Sequence, residues 1–170
     1  PHGIIRVGTN LYVADSVNYK IRKIVISTGA VTTLAGSGSS GSTDATGTAA
    51  SFNEPREMTT DGINLYVTDG SNHKIRKIVI STGAVTTLAG SGSSGSQDGT
   101  GTAASINNPR GITIVGTYLY VNDYVNHKIR KINLRGTVTA DVALHNLDDD
   151  SDVTVSLASS DTGEATVSPA

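Results

Sequence analysis

Two kinds of side chain in this sequence could do chemistry. His73 and His127 occupy the same place in a recurring phrase, Asn-His-Lys-Ile-Arg-Lys-Ile, and imidazoles so placed are candidate metal ligands. Four carboxylates, Asp148, Asp149, Asp150 and Asp152, stand close together near the C-terminus. On an extended strand alternate residues share a face, so Asp148, Asp150 and Asp152 form a convergent set that could hold Ca2+ with carbonyls or water. Each has a plainer reading. The counterpart of the two histidines in the first copy of the phrase is Tyr19, and the phrase itself reads as a turn into a strand. For the carboxylates, a solvated acidic linker is the stronger reading and bound calcium the weaker one.

The elements that must position these residues repeat. The block from Lys20 to Ser42 recurs unchanged from Lys74 to Ser96, an offset of 54 residues. The same offset carries Leu11-Tyr12-Val13 onto Leu65-Tyr66-Val67 and Leu119-Tyr120-Val121, and Pro1 onto Pro55 and Pro109. A period near 50 residues points to a propeller or a stacked array. Within each copy the pattern predicts a first strand (3–7, 56–60, 111–115), a Leu-Tyr-Val strand, a Lys-Ile-Arg-Lys-Ile strand (74–80) and, after Thr82-Gly83, a fourth strand over 84–89. Alternation in Leu-Tyr-Val makes both faces apolar, as in a blade packed between neighbours. Asp15, Asp69 and Asp123, each followed three residues later by Asn, are expected to hold a tight turn. The fold class is therefore all-β: four-stranded antiparallel blades, about two and a half of them, in repeats 1–54, 55–108 and a partial 109–135, followed by an acidic linker and short β tail over 136–170.

Links of 18 residues, 36–53 and 90–107, join the blades. Unstructured links of that length are uncommon. The first half, Gly-Ser-Gly-Ser-Ser-Gly-Ser, has the composition of a flexible linker, and the second is expected to make a helical turn whose Phe52 or Ile106 plugs a gap between blades. Asp44 and Asp98 within the links read as Asx turns, a calcium loop being a weak alternative. The Lys and Arg of the basic strand, such as Lys20, Arg22 and Lys23, are expected to be solvated or paired across strands. They are split between two faces without an aromatic set for base stacking, so nucleic acid is disfavoured.

Composition sets the outer limits. The chain of 170 residues has no cysteine, which excludes disulfides, thiolate metal sites and thiol nucleophiles. No apolar run is long enough to span a bilayer as a helix. All 13 Lys and Arg lie at or before Arg135, where 8 acids leave a balance of +5, and the remaining 35 residues carry 7 acids and a balance of −7. That division marks two unlike segments. The chain opens on Pro1 without a charged and apolar leader and reads as an excerpt.

The succession Pro-Arg-Gly-Ile, Leu-Tyr-Val, Asp, Asn-His-Lys-Ile-Arg-Lys-Ile and Val-Thr-Thr-Leu-Ala-Gly resembles the NHL repeat family of β-propellers, in a long-loop form found in large bacterial repeat proteins. The stretch from Asp152 to Ala170 resembles the opening of acidic β-sandwich modules of the Calx-beta kind. The resemblance implies a non-enzymatic scaffold that binds a protein or glycan on a secreted or cell-surface protein, without a resident cofactor. Some members of the family are lyases or bind RNA, which leaves a propeller enzyme, lyase or hydrolase, and an RNA-binding module as alternatives. Between 19–54 and 73–108 only five of 36 positions differ, namely Tyr19/His73, Thr43/Gln97, Ala45/Gly99, Phe52/Ile106 and Glu54/Asn108. Catalysis needs unlike groups converging on one point, and near-identical copies do not supply them. Open blade faces at the two ends of such an array are expected to favour self-association.

Overall fold

The computed structural model describes residues 1–134 and the backbone of 139–142. Among these the chain forms three four-stranded antiparallel sheets, each a blade, and no α-helix. Blade 1 comprises β1 (Ile4–Val7), β2 (Asn10–Asp15), β3 (Lys20–Val25) and β4 (Val31–Ala35). Blade 2 comprises β5 (Pro55–Thr60), β6 (Asn64–Asp69), β7 (Lys74–Val79) and β8 (Val85–Ala89). Blade 3 comprises β9 (Pro109–Val115), β10 (Tyr118–Asp123), β11 (Lys128–Asn133) and β12 (Thr139–Val142). Strand order follows chain order within every blade, as expected for consecutive hairpins. The expected strands are thus present to within about two residues at their ends. The fourth strand of blade 3 lies past the charge division, in the acidic segment, and pairs Ile129 with Val142 and Arg130 with Asp141.

Alternation along the second strand sorts the packing. Leu65 and Val67 of β6 face blade 1, in one core with Tyr12, Ala14, Ile21 and Phe52. Tyr66 faces the other way, into a second core with Leu119 and Val121 of blade 3. Each blade therefore turns its Leu and Val toward the blade before it and its Tyr toward the blade after it. The inner strands approach closely, and Gly3 N–H donates to Arg56 O across the blade boundary at 2.8 Å. A Cβ at Gly3 would stand 2.8 Å from that same oxygen, so the approach requires glycine there. Between blades 2 and 3 Thr68 Oγ1 donates to Arg110 O at 2.8 Å.

The links are ordered, contrary to what their Gly and Ser content suggests. Ser37 N–H donates to Ala50 O and Gly41 N–H to Phe52 O, so each link folds back on itself. The first link then runs beside the outer strand of blade 2: Gly47 N–H donates to Gly83 O and Val85 N–H to Ala45 O. A single 3-10 turn spans Gly47–Ala49 in the first link and Gly101–Ala103 in the second. Beyond these turns Phe52 and Ile106 are buried in the two inter-blade cores, as the sequence predicts. Replacing Phe52 with Ala removes an anchor shared by two blades and the link. It is expected to cost about 3–5 kcal/mol, measured as a lowered denaturant midpoint; a loss under ~1 kcal/mol would show that the link is not anchored there.

Candidate functional site

The basic strand holds a heavily bonded buried group. Arg76 has a side chain that is 0 % exposed, on the face of β7 that looks toward blade 1 and the first link. Its Nη1 donates to Asp69 Oδ2 at 2.8 Å and to Ser51 O at 3.1 Å. Its Nη2 donates to Asp44 Oδ1 at 2.6 Å and to Thr43 O at 3.0 Å. Strand register makes the first contact possible, since Val67 pairs with Arg76 and Asp69 with Lys74. Asp69 also accepts Asn53 N–H at 2.8 Å and Asn72 Nδ2 at 2.8 Å, and Asn72 donates onward to Gly41 O. Asp44 accepts both the backbone N–H and the hydroxyl of Thr87. Lys74 Nζ donates to Ser42 Oγ at 2.6 Å. The guanidinium of one blade thus clamps the link that precedes it.

Blade 3 repeats the core of the clamp. Arg130 donates to Asp123, Ser105 O, Gln97 O and Asp98 at 2.9–3.2 Å. Asn107 N–H and Asn126 Nδ2 bond Asp123, and Asn126 also bonds Gly95 O. Of the two states expected, solvated or paired across strands, Arg76 and Arg130 adopt the second, pairing with Asp69 and Asp123 of the adjacent strand, and they pair with the link carboxylates as well, because the faces of a blade are covered by its neighbours. Asp44 and Asp98 are the carboxylate partners of those arginines where local Asx turns are expected.

Electrostatics follow the geometry. Partial burial tends to raise the Asp44 carboxyl, but the Thr87 N–H and Arg76 outweigh it and hold it below the ordinary carboxylate range. Burial pushes Asp69 up, against the pull of Asn72, Asn53 and Arg76.

A second cluster lies where the turn after each Leu-Tyr-Val strand meets the start of the next inner strand. There 3-10 turns span Ser16–Asn18, Gly70–Asn72 and Tyr124–Asn126, and each is closed by a residue with positive φ: Tyr19 at 55°, His73 at 54° and His127 at 53°. Histidine tolerates this conformation better than most residues, and His73 gains a bond there, its Nδ1 accepting Asn108 N–H at 3.1 Å. That places the two sequence candidates in turns. Among the described residues no three His, Asp or Glu side chains gather in a way that could hold a metal. Asp148, Asp150 and Asp152, the calcium candidates, lie outside the described residues.

Around His73 the polar groups differ from copy to copy. Glu54 Oε2 accepts from Arg56 Nη2 and Ser71 Oγ, each at 2.8 Å. A Cβ on Gly70 would stand 2.7 Å from Arg56 Nε and 3.2 Å from Asn108 Oδ1, which shows how closely these side chains crowd the turn. One blade on, Tyr124 replaces Gly70, and Arg110 stacks on its ring at 3.4 Å. Arg56 Nε, Asn108 Oδ1 and Arg110 Nε are buried atoms without a hydrogen-bond partner among the described residues. Tyr124 is 44 % exposed. The sequence hints at this cluster only through two of the five positions at which near-identical copies differ, 19/73 and 54/108.

Known proteins place the chain as follows. No family model matches it. Over 136 residues, 73 % of its length, it is 35 % identical to NHL repeat-containing protein 2 of Bos taurus, of which it covers 19 %. The chain thus spans about a fifth of the length of that curated relative. Its fold is similar to that of an auxiliary nutrient binding protein from Bacteroides ovatus, with a TM-score of 0.66 and 24 % identity over 78 % of this chain and 35 % of that one. It is also similar to a virginiamycin B lyase from Staphylococcus aureus, with a TM-score of 0.57 and 17 % identity over 86 % of this chain and 42 % of that one. These likenesses support NHL-type repeats and a propeller fold.

The clamp makes stability depend on pH with a definite sign. Because the folded state holds Asp44 below its ordinary range, its contribution is complete above the unfolded carboxylate pKa and is lost as pH falls through the folded value. The gap in unfolding midpoint between the protein and its Asp44→Asn variant is therefore expected to narrow on acidification from pH 7. Asp69 has the opposite sign but is present in both proteins, so it largely cancels in the comparison. A gap that stays constant to the acid limit of folding would show that the Asp44 charge contributes nothing.

Proposed function

We propose that this chain is a run of NHL-type propeller blades acting as a non-enzymatic binding scaffold, part of a larger secreted or cell-surface protein whose ligand is a protein or a glycan. The observation that carries the reading is the turn-end cluster. Two buried polar atoms without partners among the described residues, Arg56 Nε and Asn108 Oδ1, lie against Gly70, and a third, Arg110 Nε, belongs to the guanidinium stacked on the half-exposed ring of Tyr124, which replaces Gly70 one blade on. Groups of this kind suit a ligand rich in hydroxyls or amides, which can satisfy donors and acceptors and stack on a ring. Propellers of this fold include both a nutrient binding protein and a lyase, and the repeated rather than convergent polar groups here favour the scaffold over an enzyme.

The RNA-binding alternative loses its main support in the geometry of the basic strand. Arg76 and Arg130 bond the links and Lys74 bonds Ser42, so the conspicuous cations of the motif face the frame of the protein. Ligand binding is testable on panels of glycans and peptides. A ligand of the turn end is expected to lose at least ~10-fold in affinity in both Tyr124→Ala and Asn108→Ala, with the fold intact by circular dichroism. Binding indifferent to both substitutions would move the site elsewhere.

Self-association belongs to the same reading. Val31 on the Leu and Val face of blade 1 is 50 % exposed, whereas its counterpart Val85 is 2 % exposed. At the other end Tyr120 and Ile129 line an open hollow on the Tyr face of blade 3. The two faces are those that meet inside the array, so copies of the chain are expected to join blade 3 to blade 1. Light scattering should show species above the monomer, reduced by Val31→Asp. A monodisperse monomer at high concentration would overturn this.

A further inference from the structure

The two links end at Asn53 and Asn107, which stand at matching positions on the boundaries between blades 1 and 2 and between blades 2 and 3. Both are half-buried and tied by the backbone in the same way. Asn53 N–H donates to Asp69 Oδ1 and Asn107 N–H to Asp123 Oδ1, while Ser71 N–H donates to Asn53 O and Val125 N–H to Asn107 O. Neither side-chain amide makes a hydrogen bond among the described residues. The residue after each has positive φ, 57° at Glu54 and 54° at Asn108. What differs is the group that meets the next peptide N–H. Asn108 N–H donates to His73 Nδ1 at 3.1 Å, whereas the counterpart of His73 at the first boundary is Tyr19, and Glu54 N–H has no side-chain acceptor among the described residues. An imidazole nitrogen that accepts a hydrogen bond carries a lone pair, so His73 presents a base to one backbone amide. That amide nitrogen follows an asparagine, where it is the nucleophile that can close a five-membered ring on the asparagine side chain.

We propose that Asn107 is a site of self-modification, deamidated through a succinimide with His73 as general base. His73 Nδ1 takes the Asn108 N–H proton as the amide nitrogen bonds to Asn107 Cγ. The Cγ–Nδ2 bond then breaks, and Nδ2 leaves as ammonia with the proton returned from His73. Solvent water opens the ring, giving aspartate by attack at the side-chain carbonyl or isoaspartate by attack at the main-chain carbonyl, with no change of oxidation state. The hydrogen bonds that hold Asn107 through its N–H and its O survive ring closure, and the bonded hydrogen that is lost is the one His73 accepts. Neighbouring asparagines each lack a condition. Asn108 precedes Pro109, whose nitrogen has no hydrogen to give up. Asn72 and Asn126 give their Nδ2 hydrogens to the clamp, to Asp69 and Gly41 O and to Asp123 and Gly95 O, which holds the amide in place. The product adds a negative charge one residue before Asn108 and, as isoaspartate, lengthens by one methylene the backbone that leads into the turn-end cluster.

The first boundary serves as a control inside the same molecule. The full chain is aged in solution at neutral pH and sampled by peptide mapping, in which mass spectrometry reads the mass gain of deamidation and enzymatic methylation reads isoaspartate. Asn107 is expected to deamidate at least ~10-fold faster than Asn53. His73→Tyr installs the residue that the first copy carries at the same φ, and it is expected to bring Asn107 down to the rate of Asn53. A loosened fold frees the chain for ring closure and raises the rate, so misfolding cannot mimic that loss. Tyr19→His is the converse variant, expected to speed Asn53 while leaving Asn107 unchanged. Equal rates at Asn53 and Asn107 in the unaltered protein would overturn the proposal. So would an Asn107 rate that does not fall in His73→Tyr together with an Asn53 rate that does not rise in Tyr19→His.

Discussion

The structure depends on a guanidinium being taken out of water. Arg76 is completely buried, and a charge in that position is strongly unfavourable unless it is paired and its donors are satisfied. No single element can do that for the four Nη donors, and Nε is left without a partner among the described residues. Asp69 comes from the neighbouring strand, Asp44 from the link, and two carbonyls from the link's bends, so all of them must be in place together. A Gly- and Ser-rich segment has high chain entropy and almost no apolar surface with which to offset it. Its order comes from being the counter-charge and solvation shell of a residue that would otherwise be stranded. Replacing such a network by apolar side chains can be neutral or stabilising in principle, so its value here is specification of where the link runs.

The same dependence explains how equal sequences end in unequal surroundings. Lys20–Ser42 and Lys74–Ser96 are identical, yet Arg22 is half-buried and bonded to a threonine while Arg76 is buried under a link. Val31 and Val85 differ likewise. Strand formation, register and the bulge are the same in both copies, so they follow from the local sequence. Burial, ion pairing and side-chain rotamers do not, because they are properties of the interface between consecutive blades. The stability of such an array is a sum of repeat and neighbour terms, and here much of the neighbour term is polar.

Most of the frame was legible from period, alternation and turn residues, which act over short distances. Pro55 and Pro109 open inner strands, Leu-Tyr-Val alternates between two cores, and Phe52 plugs the boundary. What escaped reading was long-range chemistry. Nothing near Arg76 in the chain says that Asp44, 32 residues earlier, will reach it. Alternation puts Arg76 on a defined face and allows its cross-strand pair with Asp69, but not its second pair, because Asp44 comes from another part of the chain. The linker composition of 36–42 misled for the same reason: composition reports what a segment can do alone. The fourth strand of blade 3 lay in a segment whose charge marked it as foreign to the repeat, although backbone pairing is indifferent to that charge.

The division between frame and turn end bears on how the scaffold can vary. The arginine, its two aspartates and its two link carbonyls recur in blades 2 and 3, and changing any one leaves a buried donor or acceptor unpaired. The turn end has the opposite character. Position 54/108 holds Glu or Asn and position 19/73/127 Tyr or His, each on a backbone path with a positive φ of 53–57°, and position 70/124 holds Gly or Tyr in the 3-10 turn. That path is tolerable for unlike side chains because the strands on either side are held by the clamp, so local strain at one residue does not propagate. A rigid frame that leaves a short, strained turn free to change its side chains is the arrangement in which binding specificity can drift from blade to blade without loss of the fold.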